Sequence, residues 1–107
     1  WSTANLSQPR CCLAAASAGN KVVFGGGRYT DTDSSNVVDI FDPLTRDQST
    51  SVLSVPRFYL AAAGTGNNVL FGGGELSGGV GNSNAVDAFD CSNGISCVQV
   101  VLTTSPA

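Results

Sequence analysis

Val22-Val23-Phe24-Gly25-Gly26-Gly27 returns as Val69-Leu70-Phe71-Gly72-Gly73-Gly74, an offset of 47 residues. A short apolar run closed by consecutive glycines reads as a strand buried on both faces that stops at a backbone turn. At the same offset Pro9-Arg10 returns as Pro56-Arg57, and Ala14-Ala15-Ala16 as Ala61-Ala62-Ala63. Downstream, Asn36-Val37-Val38-Asp39-Ile40-Phe41-Asp42 matches Asn84-Ala85-Val86-Asp87-Ala88-Phe89-Asp90 at an offset of 48. The second copy has thus gained one residue between the glycines and this strand, and insertions belong in loops. The chain is a tandem of two related units.

Each copy reads as four strands. The first is the Ala-rich run at 13–17 and 60–64. Ala is a poor strand former, but small side chains suit a crowded place where several strands converge. The second strand is 21–25 and 68–72. Gly19-Asn20 and Gly66-Asn67 precede it and suit a tight hairpin turn. The third is 36–41 and 84–89, ending at Asp42 and Asp90, whose carboxylates can cap turn amides. The fourth is 49–55 and 98–103. Helical periodicity is absent, so the expected class is all-β. Four-stranded antiparallel units at this period are the signature of β-propeller blades.

The Pro-Arg opening, the glycine-terminated apolar strand and the strands Val38-Asp39-Ile40-Phe41-Asp42 and Val86-Asp87-Ala88-Phe89-Asp90 together resemble kelch repeats. The resemblance covers essentially the whole chain. It implies one blade at 9–55 and a second at 56–107. In the family a Trp usually stands in or before the fourth strand, a place held here by Gln48 and, in the second copy, about Val98. Trp1 aligns with Gln48, which implies that residues 1–8 are an extra outer strand left from a preceding blade. Related propellers use an Arg near the position of Arg10 and Arg57 to line a central channel or contact a ligand. Kelch blades also occur in copper radical oxidases similar to galactose oxidase, whose centre needs His ligands and a Tyr cross-linked to Cys. This chain has no His and two tyrosines, Tyr29 and Tyr59, so no comparable copper centre can be assembled.

Composition narrows the function classes. Five basic residues stand against eight acidic ones, a net charge of −3. Nucleic-acid binding needs a basic footprint that this chain lacks. No apolar run approaches the roughly 20 residues of a membrane-spanning helix. A basic segment leading into an apolar stretch, the mark of a signal peptide, is not seen. Because the chain opens on Trp1 within repeat-like sequence, either a removed leader or a longer parent protein is expected. Without His, Ser-His-Asp and Cys-His catalysis are excluded. The glycine triplets are followed by strands and not by helices, which argues against phosphate cradles. Recurrence of Asp39/Asp42 as Asp87/Asp90 favours turn capping over acid-base chemistry.

Four cysteines are present, and Cys91 and Cys97 flank a Ser-Asn-Gly turn. A disulfide closing that loop is expected, with zinc ligation and buried reduced thiols as the competing readings. A disulfide implies an oxidising, extracellular or secretory setting. Asn5-Leu6-Ser7 then matters as an N-glycosylation triplet. Asp31-Thr32-Asp33-Ser34-Ser35-Asn36 could offer oxygen ligands to Ca²⁺ through Asp31 and Asp33, although it lacks the Gly and distal Glu of an EF-hand. An exposed polar loop is the plainer account, and no metal or other cofactor is expected.

The loops between second and third strands, 28–35 and 75–83, are the candidate binding surface, because rigid strands hold variable loops. Arg10, Arg28, Tyr29, Arg57, Tyr59 and Glu75 are the candidate partner-binding residues. The expected function is a non-catalytic kelch-like propeller segment that binds protein or glycan through its loops. The alternative is a self-assembling extracellular module that builds a ring or fibre. Two blades cannot close a ring, so further blades are expected as partners, from the same chain or from copies of it.

Overall fold

The computed structural model describes residues 3–92 and 96–100. It contains two four-stranded antiparallel sheets, each in chain order. The first holds β1 (Ala14–Ala18), β2 (Lys21–Gly25), β3 (Val37–Phe41) and β4 (Gln48–Val52). The second holds β5 (Ala61–Thr65), β6 (Asn68–Gly72), β7 (Val86–Asp90) and β8 (Val98–Val100). A 3-10 turn at Ser77–Gly79 is the only helical element among the described residues. The all-β class and the two four-strand units expected from the repeat are therefore present.

The first hairpin of each unit turns on two residues, with Gly19 and Gly66 both at φ 56°. That left-handed backbone is accessible to Gly without a Cβ clash. β4 is shorter than the expected 49–55. It ends at Val52, one in-register hydrogen bond (Leu53 amide to Asn36 carbonyl) before the chain bends at Ser54 and Val55 toward the second sheet. The part of 98–103 beyond Val100 lies outside the described residues.

Because opposed residues in an antiparallel ladder share a face, the register separates each sheet into two sides. On the front of the first sheet stand Ala16, Val23 and Ile40, with Ala14, Gly25 and Val38 beside them. On its back stand Val22 and Phe41, with Phe24 and Asp39. In the second sheet the matching back carries Val69, Phe89, Phe71 and Asp87, and the matching front carries Leu70, Ala88, Gly72 and Val86. The core forms where the front of the first sheet meets the back of the second. Val23, Val38, Ile40, Val69, Phe71 and Phe89 are all buried there, joined by Leu53, Leu60 and the Cys91 and Cys97 sulfurs. Burying each large side chain contributes about 1.5–3 kcal/mol. Gly25 is what admits the Phe71 ring, since a Cβ at Gly25 would lie 2.6 Å from its edge. Contacts between the sheets concentrate at β1, which meets β5 and β6. There Gly64 lets the strands close up, as a Cβ on it would collide with the Ser17 carbonyl oxygen.

The repeat makes the two remaining faces informative. Val86, the counterpart of fully buried Val38, is 51% exposed. Gly72, the counterpart of Gly25, has only Val86 near its missing Cβ, at 3.7 Å. On the far side, the back of the first sheet keeps Val22, Phe24 and Phe41 only half-buried. They line a groove of about 460 Å³ together with Ala4, Leu6 and Leu13. Edge-on pairs of rings, Phe24–Phe41 and Phe71–Phe89, sit at the same 5.9 Å centroid spacing in the two sheets.

Residues 3–8, expected as part of an outer strand, form no strand in this chain; Trp1 and Ser2 lie outside the described residues. A lone outer strand has no third strand to pair with here, which is the physical reason. Its connection to the first sheet nevertheless repeats an internal one. The Ser7 amide donates to Asp39 as the Ser54 amide donates to Asp87. Residues 3–6 therefore lead into the first sheet as 50–53 lead into the second.

Candidate functional site

The chain leading into β1 and the loop leaving β2 meet at one end of the first sheet, and their counterparts meet at the same end of the second. Paired backbone hydrogen bonds fasten them: Cys11 with Arg28 at 3.0 and 2.9 Å, and Phe58 with Glu75 at 3.1 and 2.8 Å. Glu75 is thus the repeat counterpart of Arg28, with the opposite charge. The Arg28 guanidinium carbon lies 5.1 Å from the Phe58 ring centre and 5.7 Å from that of Tyr59. A cation over an aromatic face at such a distance is attracted by about 0.5–1 kcal/mol at an exposed site. Tyr59 is 58% exposed and Tyr29 is 49% exposed. Arg28, Tyr29, Tyr59 and Glu75 therefore do collect at one loop-bearing end, with Arg28 and Tyr59 in direct contact.

Arg10 and Arg57 do not join that surface. Both side chains have zero exposure, each paired with a carboxylate of its own sheet: Arg10 with Asp39 at 2.8 Å and Arg57 with Asp87 at 2.9 Å. Arg10 also donates from Nε to the Gly26 carbonyl at 2.6 Å, and Arg57 donates from Nη2 to the Phe71 carbonyl at 3.1 Å. Asp87 further accepts from the Ser54 amide and hydroxyl and from Gln99 Nε2. Their burial is a correction to the expected exposed, partner-binding placement: the Arg10 donors and both Nη groups of Arg57 are directed at carbonyls and a carboxylate inside the sheet, while the buried Arg57 Nε has no partner. The carboxylates divide similarly. Asp42 caps the Leu44 and Thr45 amides, and Asp90 caps Ser92. Asp39 and Asp87 hold arginines instead.

Asp33 is engaged by its own loop, accepting from the Thr30 hydroxyl at 3.0 Å while its amide donates back to Thr30. Asp31 is exposed. No cluster of three His, Cys, Asp or Glu residues suited to a metal occurs among the described residues. Asn5 is exposed, and its carbonyl accepts from Gln48 Nε2 at 3.0 Å. Cys91 and Cys97 form the expected disulfide, with Cα atoms 4.1 Å apart, and both are buried against the first sheet. A disulfide weakly favours an extracellular setting. Among the described residues no helix is long and apolar enough to cross a membrane.

Sequence reasoning passed over Cys11 and Cys12 as site residues. Their sulfurs lie 2.7 Å apart, Cys11 is exposed, and the Tyr59 amide donates to the Cys12 carbonyl at 2.8 Å. Cys12 and Tyr59, repeat counterparts, both adopt left-handed backbone, at φ 65° and 55°. For residues with a Cβ that conformation costs about 1–2 kcal/mol each. The hydrogen bond with Cys12 and the neighbouring Arg28 guanidinium hold the Cys11 thiol below its usual range. The same neighbourhood raises Tyr59, chiefly through Cys12. An adjacent cysteine pair next to a repeated turn was the available signal. No protein-family model matches the chain, and no curated protein matches it.

Proposed function

We propose that this chain is two consecutive blades of a kelch-like β-propeller, without catalytic function, that presents its loop end to a protein or glycan partner. The observation that carries the reading is the mismatch between equal positions of the two repeats. Val38 and Gly25 are covered by the next sheet, whereas Val86 and Gly72 offer an open copy of the same surface. Phe24 and Leu13, the counterparts of Phe71 and Leu60, line a groove on the opposite side, ready to fill such a surface on a neighbour. Apolar faces of this kind are usually covered in solution. Further blades, from the same polypeptide or from other copies, would cover them, and residues 1–8 would then supply the outer strand of a preceding blade. The exposed Tyr29 and Tyr59 beside Arg28 suit recognition of a partner, since aromatic and Arg side chains dominate binding energy at interfaces. An extracellular site of action fits the disulfide.

A second reading, self-assembly of this chain into a ring or fibre, is favoured by one further fact: the two complementary faces lie on the same molecule. Head-to-tail contact closes a ring or propagates a fibre according to its rotation. Negative-stain microscopy of the full chain distinguishes the readings: closed rings or fibres support self-assembly, while particles of two-sheet size support a segment of a longer propeller. Glycan-array and protein-panel binding, compared with a Tyr29→Ala/Tyr59→Ala variant, tests the loop surface. Binding that survives in that variant would refute the assigned surface.

A further inference from the structure

We propose that Cys11 and Cys12 form a reversible redox modification site, closing to an adjacent-residue disulfide by exchange with low-molecular-weight disulfides of the glutathione class. Three observations carry this. The sulfurs already lie 2.7 Å apart, against about 2.05 Å in the bond. Cys11 is exposed, so a small disulfide can reach it, unlike buried Cys91 and Cys97. Arg28 stands beside the pair, tied to Cys11 through both backbone hydrogen bonds, and its guanidinium rests over Phe58 and Tyr59. A cation so placed favours thiolate, the attacking species, consistent with the lowered Cys11 thiol.

The chemistry balances as follows. Cys11 thiolate attacks one sulfur of the small disulfide, forming a mixed disulfide and expelling one small thiolate. Cys12 loses its proton and attacks the Cys11 sulfur, expelling the second. The two protons released by the cysteines reside finally on the two small thiols. The protein loses two electrons and the small disulfide gains them. A disulfide between adjacent residues closes an eight-membered ring through a single peptide unit and bends that unit from its relaxed geometry, so the closed bond is strained and easily reduced. Closing it takes away the thiol whose ionised form Arg28 favours, leaving the guanidinium on its two rings. The redox state of the pair would thereby set the charge presented beside Tyr59.

The test uses the intact chain equilibrated in glutathione buffers from fully reduced to fully oxidised, quenched with acid, alkylated and digested with trypsin. Cleavage after Arg10 and Lys21 places both cysteines on one peptide, residues 11–21. The expected result is that this peptide becomes two hydrogens lighter and resists alkylation at ratios where Cys91–Cys97 remains closed throughout. In Cys12→Ser the first step should stall, leaving one glutathione on Cys11. Arg28→Gln should slow Cys11 alkylation near neutral pH several-fold, and Arg28→Lys should recover part of that rate, an effect that packing alone would not produce. Two free thiols at every ratio, glutathione on both sulfurs without closure, or disulfide-linked dimers through these residues would each overturn the proposal.

Discussion

Arg57 is wholly buried, and its charge is balanced inside the sheet by Asp87 and two carbonyls. Removing one member of such a pair leaves the other buried and unpaired. Arg57→Ala is therefore expected to lower unfolding stability by about 3–5 kcal/mol, read as a reduced midpoint in urea denaturation. An unchanged midpoint would contradict the buried pairing. Glycines offer a second comparison at this scale. Gly25→Ala drives a methyl into the Phe71 ring and should cost about 1–3 kcal/mol. Gly72→Ala meets nothing closer than Val86 Cγ2 at 3.7 Å and should leave the stability of this chain near its starting value. Equal effects from the two substitutions would mean that the sheets do not pack front to back as described.

Among the elements, the β7–β8 connection is stapled by Cys91–Cys97 across a sequence separation of 6. Opening so short a loop in a Cys91→Ser/Cys97→Ser variant should cost about 2 kcal/mol from chain entropy, measured by thermal or urea unfolding against the parent. Asp90, at the head of that loop, is held below its ordinary value of 3.8 chiefly by Ser92, whose hydroxyl and amide stabilise the carboxylate. A carboxyl depressed in the folded state contributes stability above its unfolded pKa and loses it as pH falls through the lower folded value. Stability should thus decline below about pH 4, and Asp90→Asn should remove Asp90's share of that decline in pH-dependent denaturation. Legibility in the sequence also divides by element. β2, β3, β6 and β7 were readable because apolar runs between Gly, Asn and Asp turns recur at a fixed offset. The end of β4 was not, since it depends on where the chain must turn to reach the next sheet. The pairing of the loops that carry Arg28 and Glu75 was legible from the repeat, whereas the approach of Tyr59 to Arg28 was not. The burial of Arg10 and Arg57 was not, because their Asp partners stand 29 and 30 residues away and only the folded register brings them together. A cation and a carboxylate that both recur within otherwise apolar strands were the overlooked clue.

At the scale of the molecule, the front of the second sheet carries Leu70 and exposed Val86, while the opposite end of the stack carries the Phe24–Phe41 groove. If copies dock through these faces, sedimentation should show mass rising with concentration, and Leu70→Glu or Phe24→Glu alone should abolish it. Mixing the two variants should not restore long assemblies, but should permit a two-chain species through the one intact pair of faces. A concentration-independent monomer would refute docking between copies.

The arginine–aspartate pair has one further consequence. Each pair, together with the serine amide that joins it, is completed within a single stretch shorter than one repeat, from Ser7 to Asp39 and again from Ser54 to Asp87. Unequal recombination that inserts or deletes a whole unit would leave each of these arginines with its aspartate. Genes encoding such units can change their copy number without stranding an ion in the core.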